Sequence, residues 1–339
     1  MKPAIKELME ETGKWVSENL DTFLTKIKKY VAIKSISTLP EFKEEIERGA
    51  EFTAELLEEA GIDEVRIIRD YGNPLVFAQK IIDEKLPVVL FYGHYDVQPQ
   101  GNENEWSYPP FEATLSNGNI YGRGTSDDKI PVFCNIQAVK FLLENQLLNV
   151  NLKFIIEGEE EIGSPSIHNF IKNNVEVLKS DYAIISDTAI GSFDNPIITT
   201  GIRGLLYLEV EARGPNRDLH SGIYGGAVRN PLYELCRLLS LIKDENKIML
   251  DGFYDDILPP SEQEIELARQ NNDTDIAREL GVDELDCPDS LSFLMKTTLL
   301  PSYDINGIYG GYTGSGSKTV LPSQATAKAV SYTHLRAHE

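Results

Sequence analysis

Residues Leu86-Pro87-Val88-Val89-Leu90-Phe91-Tyr92-Gly93-His94-Tyr95-Asp96 decide the fold. An uncharged, largely apolar run leads through a glycine into a histidine and an aspartate. Such a continuous run predicts a strand buried on both faces, as in a parallel sheet covered by helices. Working outward, 64–69 and 74–80 read as strands before it, and 152–156 and 182–186 as apolar strands after it. Helical periodicity fills 130–144 and 165–173. Strands alternating with helices give an α/β architecture with a mostly parallel sheet.

The flanks differ in texture. Two amphipathic helices are expected before and after Gly13, the second placing Leu20, Phe23, Leu24, Ile27 and Tyr30 at helical spacing. A third, over about 41–60, ends at Gly61, a C′ glycine. After about Gly204 the pattern shifts: 205–213 alternates, 231–242 is helical, and 243–288 is polar and irregular. The expectation is a first α/β domain over 1–203 and a smaller α+β domain over 204–330.

The chain of 339 residues has 54 acidic against 32 basic side chains, a net charge of −22. That balance argues against nucleic acid or an anionic membrane as partner, since both need basic patches. The first twenty residues hold no apolar core of a secretory signal, and no run of about 18 apolar residues exists to span a bilayer. Cys134, Cys236 and Cys287 are far apart and form no CxxC pair. A reducing, cytoplasmic location is the expectation.

Polar residues gather at the C-terminal ends of the expected strands, the edge where open α/β sheets bind ligands. His94 can offer one ring nitrogen to a metal, and Asp96 is placed to hold the other. Gly122-Arg123-Gly124-Thr125-Ser126-Asp127-Asp128-Lys129 sets two adjacent carboxylates before a helix, a pattern that ordinary N-capping also produces. Glu157-Gly158-Glu159-Glu160-Glu161 follows a buried strand. It is either a solvated acidic loop or a set of repelling carboxylates that a cation would relieve. Ser186-Asp187-Thr188 ends another strand, as a metal site or a plain turn. Together these supply one histidine and several carboxylates, which suits Zn²⁺, or Mn²⁺ and Co²⁺ where carboxylates dominate. There are more carboxylates than one ion needs, which points to two ions sharing a bridge.

The motifs GHYDVQP, GRGTSDDK, EGEEEIGS, SDT and DLHSGIYGG together resemble the M20 metallopeptidases, over roughly 20–329. HYDVQP and HSGIYGG resemble the carnosinase-like dipeptidase branch. The resemblance implies a zinc-exopeptidase-like catalytic domain with an inserted lid and dimerisation domain. It implies two divalent ions: His94 and Asp187 on one, Asp127 bridging, Glu161 on the other. It makes Glu160 the general base toward a water activated between the ions, and Asp96 the partner that orients His94. The Asp127–Asp128 peptide bond is expected to be cis. His220 is implied to polarise the scissile carbonyl across a homodimer, in the partner's site. The implied substrate is a short peptide with a free carboxylate. N-acyl-amino-acid deacylation or desuccinylation is the alternative within the superfamily, and a non-catalytic dimerising remnant the alternative outside it. The Gly311–Thr319 segment, GYTGSGSKT, is one residue too long for a phosphate loop and is expected to line the substrate side of the lid. His168 is read as structural.

The final segment departs from the family. The resemblance implies a further histidine ligand and a carboxylate-binding arginine, and neither has a match. Residues 331–339 read as a non-native tail, so His334, His338 and Arg336 are not taken as site residues. The expectation is an active parent enzyme, with this exact chain truncated, poorly folded and largely inactive.

Overall fold

A computed structural model describes residues 3–188, 196–199, 201–244, 247–270, 276–287 and 289–333. His334, Arg336 and His338 lie outside the described residues. The chain divides into two compact units, Met1–Ile190 and Gly191–Glu339.

The first unit opens with one helix, α1 (Pro3–Ala32), rather than two helices around Gly13. A glycine inside a helix costs only about 1 kcal/mol relative to alanine. The buried stripe Phe23, Ile27, Tyr30 and Val31 holds the helix onto the core. A 3₁₀ turn, Pro40–Phe42, leads into α2 (Lys43–Glu59). Gly61 follows with φ +87°, as a C′ glycine should.

Strands β1 (Glu64–Ile68), β2 (Leu75–Lys80) and β3 (Val88–His94) come next. A small hairpin, β4 (Thr114–Ser116) and β5 (Asn119–Tyr121), precedes α3 (Lys129–Glu144). Then follow β6 (Asn151–Glu157), α4 (Pro165–Asn173), the short α5 (Val175–Leu178) and β7 (Tyr182–Ile185). The sheet order is β1-β2-β6-β3-β7. β6, β3 and β7 run parallel, and β2 and β1 extend the sheet antiparallel.

β6 is buried along its whole length because it lies at the sheet centre. β3 is only half-buried over Val88–Tyr92, although its sequence predicts burial on both faces, and β7 is exposed. β7 is the last described strand of the sheet, so β3 has a thinly covered neighbour on that side. The main core joins α1, α2 and α3 to one sheet face through Tyr30, Leu57, Ile136 and Phe154. A second cluster, with Phe77, Ile155, Ile167 and Phe170, seats α4 on the other face.

The second unit carries β8 (Gly204–Arg213), a two-residue β9 (Leu219–His220), α6 (Ser221–Tyr224) and α7 (Pro231–Ile242). The two-residue strands β10 (Lys243–Asp244) and β11 (Lys247–Ile248) follow, then α8 (Glu262–Gln270), α9 (Ile276–Leu280) and α10 (Ser290–Leu294). It closes with β12 (Ser302–Gly310), β13 (Val320–Leu321) and β14 (Gln324–Thr333). β12, β14 and β8 form one antiparallel sheet, against which α7 packs through Leu235 and Leu239. β14 pairs with β8 through Thr333, past the change of sequence texture at residue 331. No described helix is long and apolar enough to cross a membrane.

Candidate metal centre

The end of β3 carries the centre. Gly93 is required there: a Cβ would collide with Val132 and approach Asp128 Oδ2 to 2.6 Å. Beyond His94 the chain is fastened on both sides. Tyr95 N–H donates to the Glu157 carbonyl at 2.8 Å, Ser35 Oγ to the Tyr95 carbonyl at 2.6 Å, and Val97 N–H to the Ser35 carbonyl at 2.9 Å. Tyr95 and Val97 are buried in core clusters. Asp96 and Gln98 reach the acidic segment after β6 instead.

His94 is fully buried. Its Nδ1 lies 3.1 Å from the Asp96 carbonyl and 3.3 Å from Asp96 Oδ1, which fixes the ring. Its Nε2 is 2.9 Å from Asp127 Oδ1 and 3.7 Å from Asp187 Oδ2. Yet Nε2 makes no hydrogen bond of acceptable geometry, which is costly for a buried nitrogen. His94, Asp127 and Asp187 each present a ligand atom, all within 4.8 Å of one another. Ligands at 2.0–2.2 Å around a tetrahedral Zn²⁺ sit roughly 3.3–3.6 Å apart, and the observed 2.9 and 3.7 Å bracket that span. The orphaned nitrogen, its two carboxylates and the spacing fit a divalent cation.

The charges agree. Burial pulls the His94 imidazole down. The Asp96 hydrogen bond and the charges of Asp96, Asp128 and Asp187 outweigh it and push the ring up to about 10. Burial raises the Asp187 carboxyl, His94 opposes this, and Asp127 adds to the rise. A cation would take the place of the proton that this cluster attracts.

The neighbouring carboxylates have separate duties. The Asp127–Asp128 bond is cis, as the motif implies. Asp128 is not a side-chain N-cap of α3; its buried Oδ2 accepts the His94 backbone N–H at 3.1 Å. Burial pushes its carboxyl up to about 7. Lys129, fully buried, donates from Nζ to the Tyr30 and Ile33 carbonyls at 3.1 and 2.5 Å, pinning the start of α3 to the end of α1. Asn135 Nδ2 donates to Ser186 Oγ at 2.9 Å, beside Asp187.

The acidic run is not a solvated loop. Glu157 and Glu159 are buried, and Glu160 and Glu161 are half-buried in a 3₁₀ turn closed by Gly163 at φ +89°. Glu159 accepts the Asn73 N–H at 2.9 Å and the Ser166 N–H at 3.0 Å, and also bonds Ser166 Oγ. Asp96 accepts the backbone N–H of Glu160 on Oδ1 and of Glu161 on Oδ2, each at 3.2 Å. One carboxylate thus holds the His94 ring and the Glu160–Glu161 backbone together. Burial raises the Glu160 carboxyl; His94 opposes it, while Glu161, Asp187 and Asp96 add to the rise. Glu161 lies outside the three-residue cluster, its Oε2 held by Gln98 Nε2 at 2.8 Å.

Glu157 has a consequence for stability. Tyr92 Oη donates to its Oε1 at 2.7 Å, and Oε2 is buried with no hydrogen-bond partner. Burial pushes the carboxyl from 4.5 up to about 7, against hydrogen bonds from Tyr92 and Ser164. The folded chain therefore holds a proton that the unfolded chain releases. This stabilisation is fully present below pH 4.5 and is lost as pH rises through about 7. At about 1.4 kcal/mol per pH unit the loss is about 3 kcal/mol. Glu157→Gln keeps an acceptor for Tyr92 and removes the charge. Thermal melts of the metal-free chain are expected to show the variant gaining on the parent between pH 5 and 8; parallel pH profiles would contradict this.

In the second unit, His220 ends β9. Its Nδ1 accepts the Gly222 N–H at 3.0 Å, and its Nε2 is 3.1 Å from Thr319 Oγ1. With Nδ1 accepting, the ring proton sits on Nε2, so the neutral imidazole is a donor there. The Gly311–Thr319 segment meets it through this contact and through Ser221 N–H to the Thr319 carbonyl at 3.1 Å. His168 is exposed on α4.

Residues 90–330 match the sequence profile of peptidase family M20/M25/M40. The chain belongs to this family. M20 membership makes it a hydrolase acting on peptide bonds. It is 33% identical to the Beta-Ala-His dipeptidase of Rattus norvegicus, over 97% of this chain and 70% of that protein. It is 32% identical to the Cys-Gly metallodipeptidase dug1 of Schizosaccharomyces pombe, over 97% of this chain and 71% of that protein. Among solved structures it resembles the M20 family metallo-carboxypeptidase Sso-CP2 from Sulfolobus solfataricus. That match has a TM-score of 0.81 and 34% identity, covering 93% of this chain and 71% of the other. The structure brings His94, Asp127 and Asp187 together and leaves Glu161 outside that cluster. The motifs did not single out Gln98, Glu159 or Lys129. The only signal for Gln98 is its spacing of two from Asp96 and four from His94, the same-face period of an extended segment.

Proposed function

We propose that this M20 chain hydrolyses dipeptides at a two-metal site. The supporting observation is the buried, hydrogen-bond-free His94 Nε2 aimed at Asp127 and Asp187, with Glu160 and Glu161 fastened beside them by Asp96. His94, Asp187 and Asp127 would hold one ion, and Asp127 with Glu161 would hold the other, with Zn²⁺ the fitting metal for this donor set. When bound, the ions supply the positive charge that acidifies water and polarises a carbonyl. Glu160 takes the proton of the attacking water and passes it to the leaving amine. A raised carboxyl suits both transfers, because it holds and releases a proton nearer neutral pH. His220 donates from Nε2 to the oxygen of the scissile carbonyl. By the family resemblance it serves the site of a partner subunit in a homodimer formed through the lid.

The two named dipeptidase relatives cleave Beta-Ala-His and Cys-Gly, whose side chains have little in common. What those substrates share is two-residue length and a free carboxylate, and the same class is assigned here. The described cysteines, Cys134, Cys236 and Cys287, are free thiols, which suits a reducing, cytoplasmic compartment. The test is a panel of dipeptides, N-acetyl and N-succinyl amino acids, assayed with Zn²⁺, Mn²⁺ or Co²⁺. Dipeptides are expected to give the highest kcat/KM; preference for the acyl amino acids would replace this reading with deacylation.

A further inference from the structure

Asp187 is the least supported member of the cluster it forms with His94 and Asp127. Among the described residues β7 pairs on one side only, with β3, and that ladder ends at Tyr92 and Ile185, two residues short of Asp187. Tyr182, Ile184 and Ile185 are exposed, so packing does little to hold the end of the strand. His94, by contrast, lies inside the ladder, paired with Glu157, and Asp127 is two residues from the start of α3. Helix α3 supplies what β7 lacks. Asp128, Val132 and Asn135 stand at i, i+4 and i+7, on one face of the helix. Each meets a strand end. Asp128 Oδ2 accepts the His94 N–H at 3.1 Å, Val132 fills the space that a Cβ on Gly93 would need, and Asn135 meets Ser186. The last contact is reciprocal: Asn135 Nδ2 donates to Ser186 Oγ at 2.9 Å, and Ser186 Oγ donates to Asn135 Oδ1 at 3.3 Å. Ser186 is the residue that joins the strand to Asp187.

We propose that Asn135 is a positioning residue for the metal centre: through Ser186 it fastens the loose end of β7, and Asp187 with it, to the helix that follows Asp127. The inference rests on the reading of Asp187 as a ligand. Asn135 and Ser186 are both half-buried. If either side chain is cut back, the other can turn to water at small cost to the fold. What is lost is the fixed approach of Asp187 to His94 Nε2. Groups that support a metal ligand change affinity by about 10–100-fold when removed. Asn135 acts through the residue next to the ligand, which places its effect at the lower end.

The test is Co²⁺ titration of the metal-free full chain, read by the visible absorption of the bound ion. The samples are the parent, Asn135→Ala, Ser186→Ala, the two combined, and Asp187→Asn. Each single change of the pair is expected to weaken the tightest Co²⁺ equivalent by about 10-fold and to move its absorption bands toward those of Asp187→Asn. The combined variant should bind no more weakly than either single one, because both remove the same contact. The metal-free melting temperature should stay near that of the parent. Parental affinity in both single variants, or losses that multiply in the combined one, would overturn the proposal. Weaker binding with parental bands and a matching fall in metal-free melting temperature makes the pair structural, and overturns it equally. If Asp187→Asn binds Co²⁺ as the parent does, the ligand reading itself fails, and the role of Asn135 with it.

Discussion

Glu160→Gln is expected to lower dipeptide turnover by about 10²–10⁴-fold, the usual worth of a general base, while metal content stays unchanged. The geometry separates the two properties. Glu160 is absent from the cluster formed by His94, Asp127 and Asp187, and its backbone is held by Asp96 whatever its side chain. Glutamine keeps size and hydrogen bonding but cannot accept a proton. The loss should fall on kcat, because the group acts on the reacting water rather than on substrate binding. Steady-state kinetics with metal analysis of the same samples check this. Retained kcat would remove Glu160 from the mechanism, and coincident loss of metal would make it a ligand instead.

Asp127→Asn carries the second large effect. Asp127 Oδ1 approaches His94 Nε2 to 2.9 Å, and its side chain is 62% exposed, so it adds little to packing. Asparagine should leave the metal-free fold as it is. The same change removes one negative charge from the cluster, and metal affinity is expected to fall by more than about 100-fold, the upper end for a residue that only supports a ligand. At a free Zn²⁺ concentration of 100 times Kd, binding stabilises the parent by about 2.7 kcal/mol; a 100-fold loss leaves about 0.4 kcal/mol. Melts with Zn²⁺ and with chelator measure the difference. A full Zn²⁺-dependent rise in Tm for the variant would exclude Asp127 as a ligand.

Much of this site is legible because strand ends are legible. The apolar runs before His94, Glu157 and Asp187 set three parallel strands, and parallel strands bring their C-terminal ends to one edge. The register pairs His94 with Glu157, so the acidic run starts beside the histidine. Other features depend on tertiary context. Gly13 reads as a helix break, but its cost is small beside the burial of Phe23, Ile27, Tyr30 and Val31 further along α1. The run at Val88–Tyr92 predicted burial on two faces, yet burial depends on what lies beyond β7, which the strand's own residues do not encode. The division of labour among Glu157, Glu159, Glu160 and Glu161 was invisible in the string of glutamates. It is set by partners 60 to 90 residues away in sequence, such as Asn73 and Asp96.

The most direct test of the metal centre is a crystal structure of the Zn²⁺-soaked chain with anomalous data at the zinc edge. The prediction is an anomalous peak bonded to His94 Nε2, Asp127 and Asp187, absent after chelation. Zinc found only at other residues, with His94 Nε2 hydrogen-bonded to a protein group instead, would contradict it.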